Sequence, residues 1–227
     1  MRTAAILPVK SFARAKQRLG GSVSEQLRLD LAEAMVADVL LALAETPSIE
    51  RTIVVTRETR VAAAAGEQGA LVVEDAAEEG QSAAVALGVE RALEEGMGRV
   101  LCIPGDCPAL DSAELEALLG QHDGTREVVV VPDRHGTGTN GLLLTPPQVI
   151  APSFGPDSCP RHRALALAAG VPSMLTRPAS LLLDIDTGAD LAALRDRLAG
   201  DHARAARTRA VLGQHARTEV IPITSTG

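Results

Sequence analysis

A chain of 227 residues, 46% of them hydrophobic, carries enough apolar side chain for one sizeable core, and a single α/β domain commonly reaches this length. A formal net charge of -7 gives no overall basic field, which argues against nucleic acid as a primary partner, and an aromatic content of 1% with no Trp or Tyr excludes stacking platforms for single strands. No apolar run approaches membrane-helix length, the first apolar segment is short and holds Pro8, and Cys102, Cys107 and Cys159 are an odd number, so the expectation is a cytoplasmic protein with free thiols, no signal peptide and no membrane association.

Strand-like and helix-like segments alternate from the start, the pattern of an α/β fold around a largely parallel sheet. Residues 3–9 form a short apolar strand. Ser22-Val23-Ser24-Glu25 has capping-box form, and Leu27, Leu31, Ala34, Met35 and Val39 follow at helical spacing. A strand over 51–56, a helix over 59–68, a strand over 70–73 and a helix over 82–95 come next. A fourth strand over 100–103 ends in Pro104-Gly105-Asp106, and Asp111 caps the helix after it. The β-branched run 127–131 predicts a buried strand, separated by the polar, Gly-rich loop 132–140 from a strand over 141–144. A helix over 158–169, strand-like runs at 173–176 and 181–183, and a helix over 188–198 that extends through about 201–212 complete the pattern. Residues 1–214 are expected as one domain and 215–227 as a mobile tail.

Candidate chemistry concentrates where strands end. In Leu182-Leu183-Asp184-Ile185-Asp186-Thr187 two carboxylates stand one residue apart, so at the end of a strand Asp184 and Asp186 face the same way. Two such carboxylates repel unless a cation separates them, and a hard, oxygen-liking ion such as Mg²⁺ suits them. The competing reading is a helix cap, because Thr187-Gly188-Ala189-Asp190 has capping-box form. Asp106 ends a strand on the edge where open α/β sheets bind ligands, although an Asp after Pro-Gly also suits a turn. The segment after the first strand gathers both lysines of the chain, Lys10 and Lys16, with Arg18, beside Gly20 and Gly21; it suits a nucleotide polyphosphate, or is a solvated loop.

Leu7-Pro8-Val9-Lys10, Ala15-Lys16-Gln17-Arg18-Leu19, Glu79-Gly80-Gln81-Ser82, Gly105-Asp106-Cys107-Pro108, Asp133-Arg134-His135-Gly136-Thr137-Gly138-Thr139-Asn140, Phe154-Gly155-Pro156-Asp157-Ser158 and Leu183-Asp184-Ile185-Asp186-Thr187 occur in that order. Together they closely resemble the CofC/FbiD family of guanylyltransferases in deazaflavin coenzyme F420 biosynthesis, over about residues 4–194. The resemblance implies a nucleotide-diphospho-sugar-transferase-like (Rossmann-like) three-layer sandwich with a mixed, mainly parallel sheet. It implies that GTP is joined to a small phosphorylated three-carbon acid with release of diphosphate. By motif, Asp106, Asp184 and Asp186 would be the Mg²⁺ ligands, and Thr139, Gly155 and Ser158 the contacts to the acceptor, which is phosphoenolpyruvate in bacterial members. Ser158 opens a predicted helix whose N–H groups would favour an anion, Thr139 can donate its hydroxyl, and Gly155 permits close backbone approach. Lys10, Lys16 and Arg18 are expected at the GTP phosphates and Gln81 and Ser82 near the nucleoside. Arg161, His162 and Arg163 either help hold the acceptor or form an exposed helical face. The other acceptors in view are 2-phospho-L-lactate and 3-phosphoglycerate. An unstable phosphoanhydride product would benefit from hand-off to the downstream deazaflavin transferase. A reading of another class is a nucleotide-binding sensor or partner subunit on the same fold.

Overall fold

A computed structural model describes residues 1–12, 19, 23–122, 126–199 and 204–218. Seven strands, β1 (Thr3–Val9), β2 (Arg51–Thr56), β3 (Leu71–Glu74), β4 (Arg99–Cys102), β5 (Glu127–Pro132), β6 (Thr139–Thr145) and β7 (Ser173–Leu175), form one sheet in the order β3-β2-β1-β4-β6-β5-β7. Parallel pairing joins β1 to β2 and β4, β2 to β3, and β5 to β7, whereas β6 is antiparallel to both β4 and β5. Six strands therefore point one way and β6 is reversed, so the amino end of β6 lies on the same edge as the carboxyl ends of the other six. That edge is where α/β sheets hold ligands.

The central strands are apolar on both sides because helices cover both faces. On one face α1 (Glu25–Ala44), α2 (Thr59–Glu67) and α4 (Ser112–Gln121) pack on Ala5, Leu7, Val54, Leu101, Val129 and Leu143. On the other, α3 (Gln81–Glu94) and α5 (Ser158–Ala168) pack on Ile6, Ile53, Val55, Val128, Val130 and Leu142. Each fully buried aliphatic side chain of this kind contributes about 1.5–3 kcal/mol. A third apolar cluster joins α1 to α6 (Gly188–Leu198) and α7 (Ala206–Thr218) through Leu31, Met35, Leu191, Leu194 and Leu212. The result is the mixed, mainly parallel three-layer architecture expected from the sequence. Among the described residues no helix is long and apolar enough to cross a membrane.

Three expectations need correction. Residues 181–183 are not a strand: a 3-10 turn over Ala179–Leu181 is followed by irregular chain. The carbonyl of Leu181 accepts from the Asn140 side-chain amide at 2.8 Å and from the Cys107 thiol at 3.9 Å, and the Ile185 N–H donates to the Asp106 carbonyl at 3.0 Å. These backbone groups are thus satisfied without a neighbouring strand, while Leu181, Leu183 and Ile185 remain buried. Second, α6 ends at Leu198 and α7 is a separate helix. Asp38 of α1 accepts the Arg207 and Thr208 N–H groups of its first turn at 3.1 and 2.8 Å. Residues 215–218, assigned to the tail by the sequence pattern, are the last turn of α7, and 219–227 lie outside the described residues. Third, α1 is capped by Ser24, whose hydroxyl accepts the Leu27 N–H at 3.2 Å; Ser22 lies outside the described residues.

Candidate active site

At the carboxyl edge, the ends of β1, β3 and β4 and the segment before α6 surround a pocket of about 290 Å³. Lys10, Asp75, Gln81, Gly105, Asp106 and Asp186 line it, over a floor that includes Val9, Met35, Val36 and Ala84. Gly105 is required there: a Cβ at this position would stand 2.9 Å from Val36 Cγ2 on α1. Behind Lys10 the chain is pinned by side chains. The Ser11 N–H donates to Glu78 at 3.1 Å, the Phe12 N–H to Glu58 at 3.1 Å, and the Phe12 carbonyl accepts from the buried Arg28 guanidinium at 2.9 Å. Lys16, Arg18, Gly20 and Gly21 lie outside the described residues.

No strand carries Asp184 and Asp186: both are half-buried, Asp184 between the buried Leu183 and Ile185, and Asp186 of the two lines the pocket. Asp184 accepts from Asn140 Nδ2 at 3.2 Å. Burial, then the nearby Asp106 carboxylate, and to a smaller degree Asp186, push the Asp184 carboxyl above its ordinary range against the Asn140 hydrogen bond. Asp184 with Asp106 and Asp186 near it is an all-oxygen donor set, which fits a hard divalent cation. Among the described residues no three acidic, imidazole or thiol side chains converge tightly enough to form a ready-made cage. An ion that keeps several waters and shares its ligands with substrate phosphates, as Mg²⁺ does, requires no such cage.

The helix-cap reading of this segment also holds. Thr187 and Asp190 form a reciprocal capping box, and Asp190 Oδ2 accepts the Asp186 N–H at 3.1 Å and the Thr187 N–H at 2.7 Å. Capping and display of Asp186 are one arrangement here. Asp190 is in turn ion-paired to Arg134 of the Gly-rich loop.

That loop and the start of β6 border a second cluster. Burial works against ionisation of Asp133, yet N–H groups of Gly138, Thr137 and Gly136 and the Thr137 hydroxyl hold its carboxyl below the ordinary range. Thr139, nearly buried, has its hydroxyl 3.1 Å from His162 Nδ1, and His162 Nε2 accepts the Ser153 N–H at 2.9 Å. Phe154 meets the His162 ring edge-on, with centroids 5.0 Å apart. Thr139 thus meets His162 directly, and Gly155 and Ser158 stand just before and at the start of the helix that carries His162.

The expectation that the α5 N-terminus offers N–H groups to an anion is overturned. Ser158 N–H donates to Gly155 O at 3.1 Å, Cys159 N–H to Thr137 O at 3.0 Å and Arg161 N–H to Asp157 O at 3.3 Å, while Pro160 has none. What remains for a ligand is the Thr139 and Ser158 hydroxyls and the Gly155 N–H, which donates to no acceptor among the described residues. The neighbouring arginine is committed as well, since Arg161 donates to the Ser153, Phe154 and Pro156 carbonyls.

Ser82, expected near a nucleoside, opens α3, and its hydroxyl accepts the Phe154 N–H at 2.8 Å. It therefore joins the pocket side of the edge to the Thr139 cluster. Asp75 and Asn140 were not among the site residues singled out from sequence. Asp75 follows a strand, which is a signal of the same kind that marked Asp106; Asn140 stood inside the Gly-rich motif, and only its reach to Asp184 makes it part of the site.

Comparison with known proteins bears on the family and the fold. The profile of a family described as guanylyl transferase CofC like matches residues 3–209. A phosphoenolpyruvate guanylyltransferase of Conexibacter woesei is 49% identical over 219 residues, covering 96% of this chain and 98% of its own. Another protein of that name, from Sphaerobacter thermophilus, is 34% identical over 191 residues, covering 84% and 91%. Among solved structures, a provisionally assigned nucleotide-diphospho-sugar transferase from Desulfovibrio desulfuricans aligns with a TM-score of 0.73 at 16% identity, over 96% of each chain. A nucleotidyl transferase from Methanothermobacter aligns at 0.61 and 22% identity, over 86% of this chain and 97% of the other.

Proposed function

The chain belongs to the CofC-like guanylyl transferase family, and from that premise we propose that it joins GTP to phosphoenolpyruvate, giving enolpyruvoyl-2-diphospho-5'-guanosine and diphosphate, in coenzyme F420 biosynthesis. The observation that carries this reading is the gathering of Asp106, Asp186 and Lys10 at one pocket, with Asp184 beside Asp106 and a separate cluster of donors around Thr139 on the same edge. One region suits a polyphosphate with its cation and the other a small anion.

No protein nucleophile is required, because the acceptor phosphate is already ionised at neutral pH. What the site must offset is repulsion between two anions and the charge that develops on the leaving diphosphate. Asp106, Asp184 and Asp186 would hold Mg²⁺, which when bound supplies charge neutralisation to the phosphates. Lys10 would neutralise a phosphate at the lip of the pocket; Lys16 and Arg18 are proposed for the same task. Gln81, at the first turn of α3, would face the nucleoside. Thr139, Gly155 and Ser158 would donate to the acceptor, and Asn140 would keep Asp184 turned towards Asp106. The phosphoanhydride product suits direct transfer to the enzyme that consumes it.

The test is diphosphate release from GTP and Mg²⁺ with phosphoenolpyruvate, 2-phospho-L-lactate or 3-phosphoglycerate supplied separately, each with and without the downstream deazaflavin transferase. Release with phosphoenolpyruvate is expected. Release only with another acid would overturn the acceptor, and silence with all three would overturn the reaction.

A further inference from the structure

His162 is fully buried, between the Thr139 strand and the 153–155 loop, and makes two hydrogen bonds whose directions are linked. A backbone N–H can only donate, so Nε2, at 2.9 Å from the Ser153 nitrogen, is the acceptor and carries no hydrogen. Burial, helped by the neighbouring Arg161 charge, holds the ring's pKa down at about 4, so the imidazole is neutral at pH 7 and has a single N–H. That hydrogen is on Nδ1, which faces Thr139 Oγ1 at 3.1 Å. The Thr139 hydroxyl therefore accepts from His162, and its own hydrogen is left to donate. No acceptor among the described residues takes it.

We infer that His162 is a positioning residue that makes Thr139 a one-way donor towards the acceptor substrate. A hydroxyl left to itself can rotate to donate or accept and so tolerates either kind of ligand. One already accepting from an imidazole N–H is matched to a group that only accepts, such as a carboxylate or phosphate oxygen. Phe154, packed edge-on against the ring, keeps the ring plane from turning away from Thr139. The same ring fixes the Ser153 N–H, two residues before the Gly155 N–H, which has no acceptor among the described residues, so one side chain holds both the Thr139 hydroxyl and the loop that carries Gly155. This inference rests on the reading of the Thr139 cluster as the acceptor site.

Two measurements test it. Two-bond ¹⁵N correlation spectra of the free protein report the His162 tautomer without any turnover: the Nδ1–H form is expected, and an Nε2–H form would overturn the inference. The second is a kinetic cycle with Asn and Gln at 162. The Asn amide falls where Nδ1 stands and can donate to Thr139, whereas the Gln amide falls near Nε2 and serves Ser153. His162→Gln should raise the acceptor KM about tenfold while the GTP KM stays within about twofold. His162→Asn should restore most of that loss. Combined with Thr139→Val, His162→Gln should add little, because the two act through one hydrogen bond. Additive losses, or a larger defect in Asn than in Gln, would mean that the ring merely supports the Ser153 loop. Absence of diphosphate release by the parent enzyme would instead count against the proposed reaction and leave the tautomer measurement to decide the inference.

Discussion

Asp184 has an electrostatic position that separates folding from function. Its carboxylate is disfavoured by burial and by Asp106 and Asp186, and the Asn140 amide that donates to it would bind a neutral oxygen as well. Asp184→Asn keeps that oxygen and removes the charge. In metal-free buffer the variant should melt at a higher temperature than the parent, read by calorimetry with a chelator present. Diphosphate release should fall about 10²- to 10³-fold, in line with the several kcal/mol that a cation gives a phosphoryl transition state. Mg²⁺ should raise the melting temperature of the parent and leave the variant's unmoved. A variant that melts lower than the parent would mean that the carboxylate is held for stability. Asp106 was legible because a strand end is a local property of sequence; Asp184 and Asp186 were singled out by two-residue alternation, in a segment that is not a strand. Asn140 was not, because its role depends on where residues 181–184 pass in space. The donors of α5 failed for the same reason: a helix start is readable from sequence, but Thr137 O accepting the Cys159 N–H is a tertiary fact. Pro160, by contrast, was a readable warning that one donor was missing.

Among the elements, two helical glycines have opposite significance. Gly66 lies in α2 with open space where a Cβ would be, so Gly66→Ala should stabilise the protein by up to about 1 kcal/mol through helix propensity alone. Gly88 lies where α3 crosses β1 and β2. A Cβ there would stand 2.4 Å from Ile6 Cγ2 and 3.2 Å from Val55 Cγ2. Ile6 is fully buried, and its branched side chain has nowhere to retreat. Overpacking costs about 1–3 kcal/mol, which exceeds the helical gain of about 1, so Gly88→Ala should be destabilised. Urea midpoints of the two variants should move in opposite directions from the parent; a stabilised Gly88→Ala would contradict the close α3 packing. Element positions were read well from sequence wherever burial and periodicity coincide. The seven strands found lie within a residue or two of their expected places, and Asp111 caps α4 as predicted. The failure at 181–183 has a physical reason. Leu181, Leu183 and Ile185 alternate in burial as a strand would, but their backbone is held by Asn140, Cys107 and Asp106, and apolar alternation alone does not distinguish those two situations.

Over the molecule as a whole, the reversed strand β6 divides the sheet. On one side β3-β2-β1-β4 end at the pocket lined by Lys10, Asp75, Gln81 and Asp106; on the other β5 and β7 flank the Thr139 cluster. The proposed reaction needs the two regions held in register, since small misplacement of a reacting phosphate is costly. Among the described residues, ties that cross between them include the Asn140 amide to Asp184, Arg134 to Asp190, and the Phe154 N–H to the Ser82 hydroxyl. The last can be cut by removing one oxygen. Ser82→Ala leaves the Phe154 N–H without its acceptor at the edge of the loop that carries Gly155. If Ser82 acts as that tie, the acceptor KM should rise about tenfold with the GTP KM nearly unchanged, and Ser82→Thr, which restores the hydroxyl, should recover most of the loss. If Ser82 instead serves the nucleoside, as its place in the Glu79-Gly80-Gln81-Ser82 motif suggested, the GTP KM should rise and the acceptor KM should not. Steady-state kinetics with each substrate varied in turn therefore decides whether the first turn of α3 belongs to the nucleotide or joins the two halves of the site.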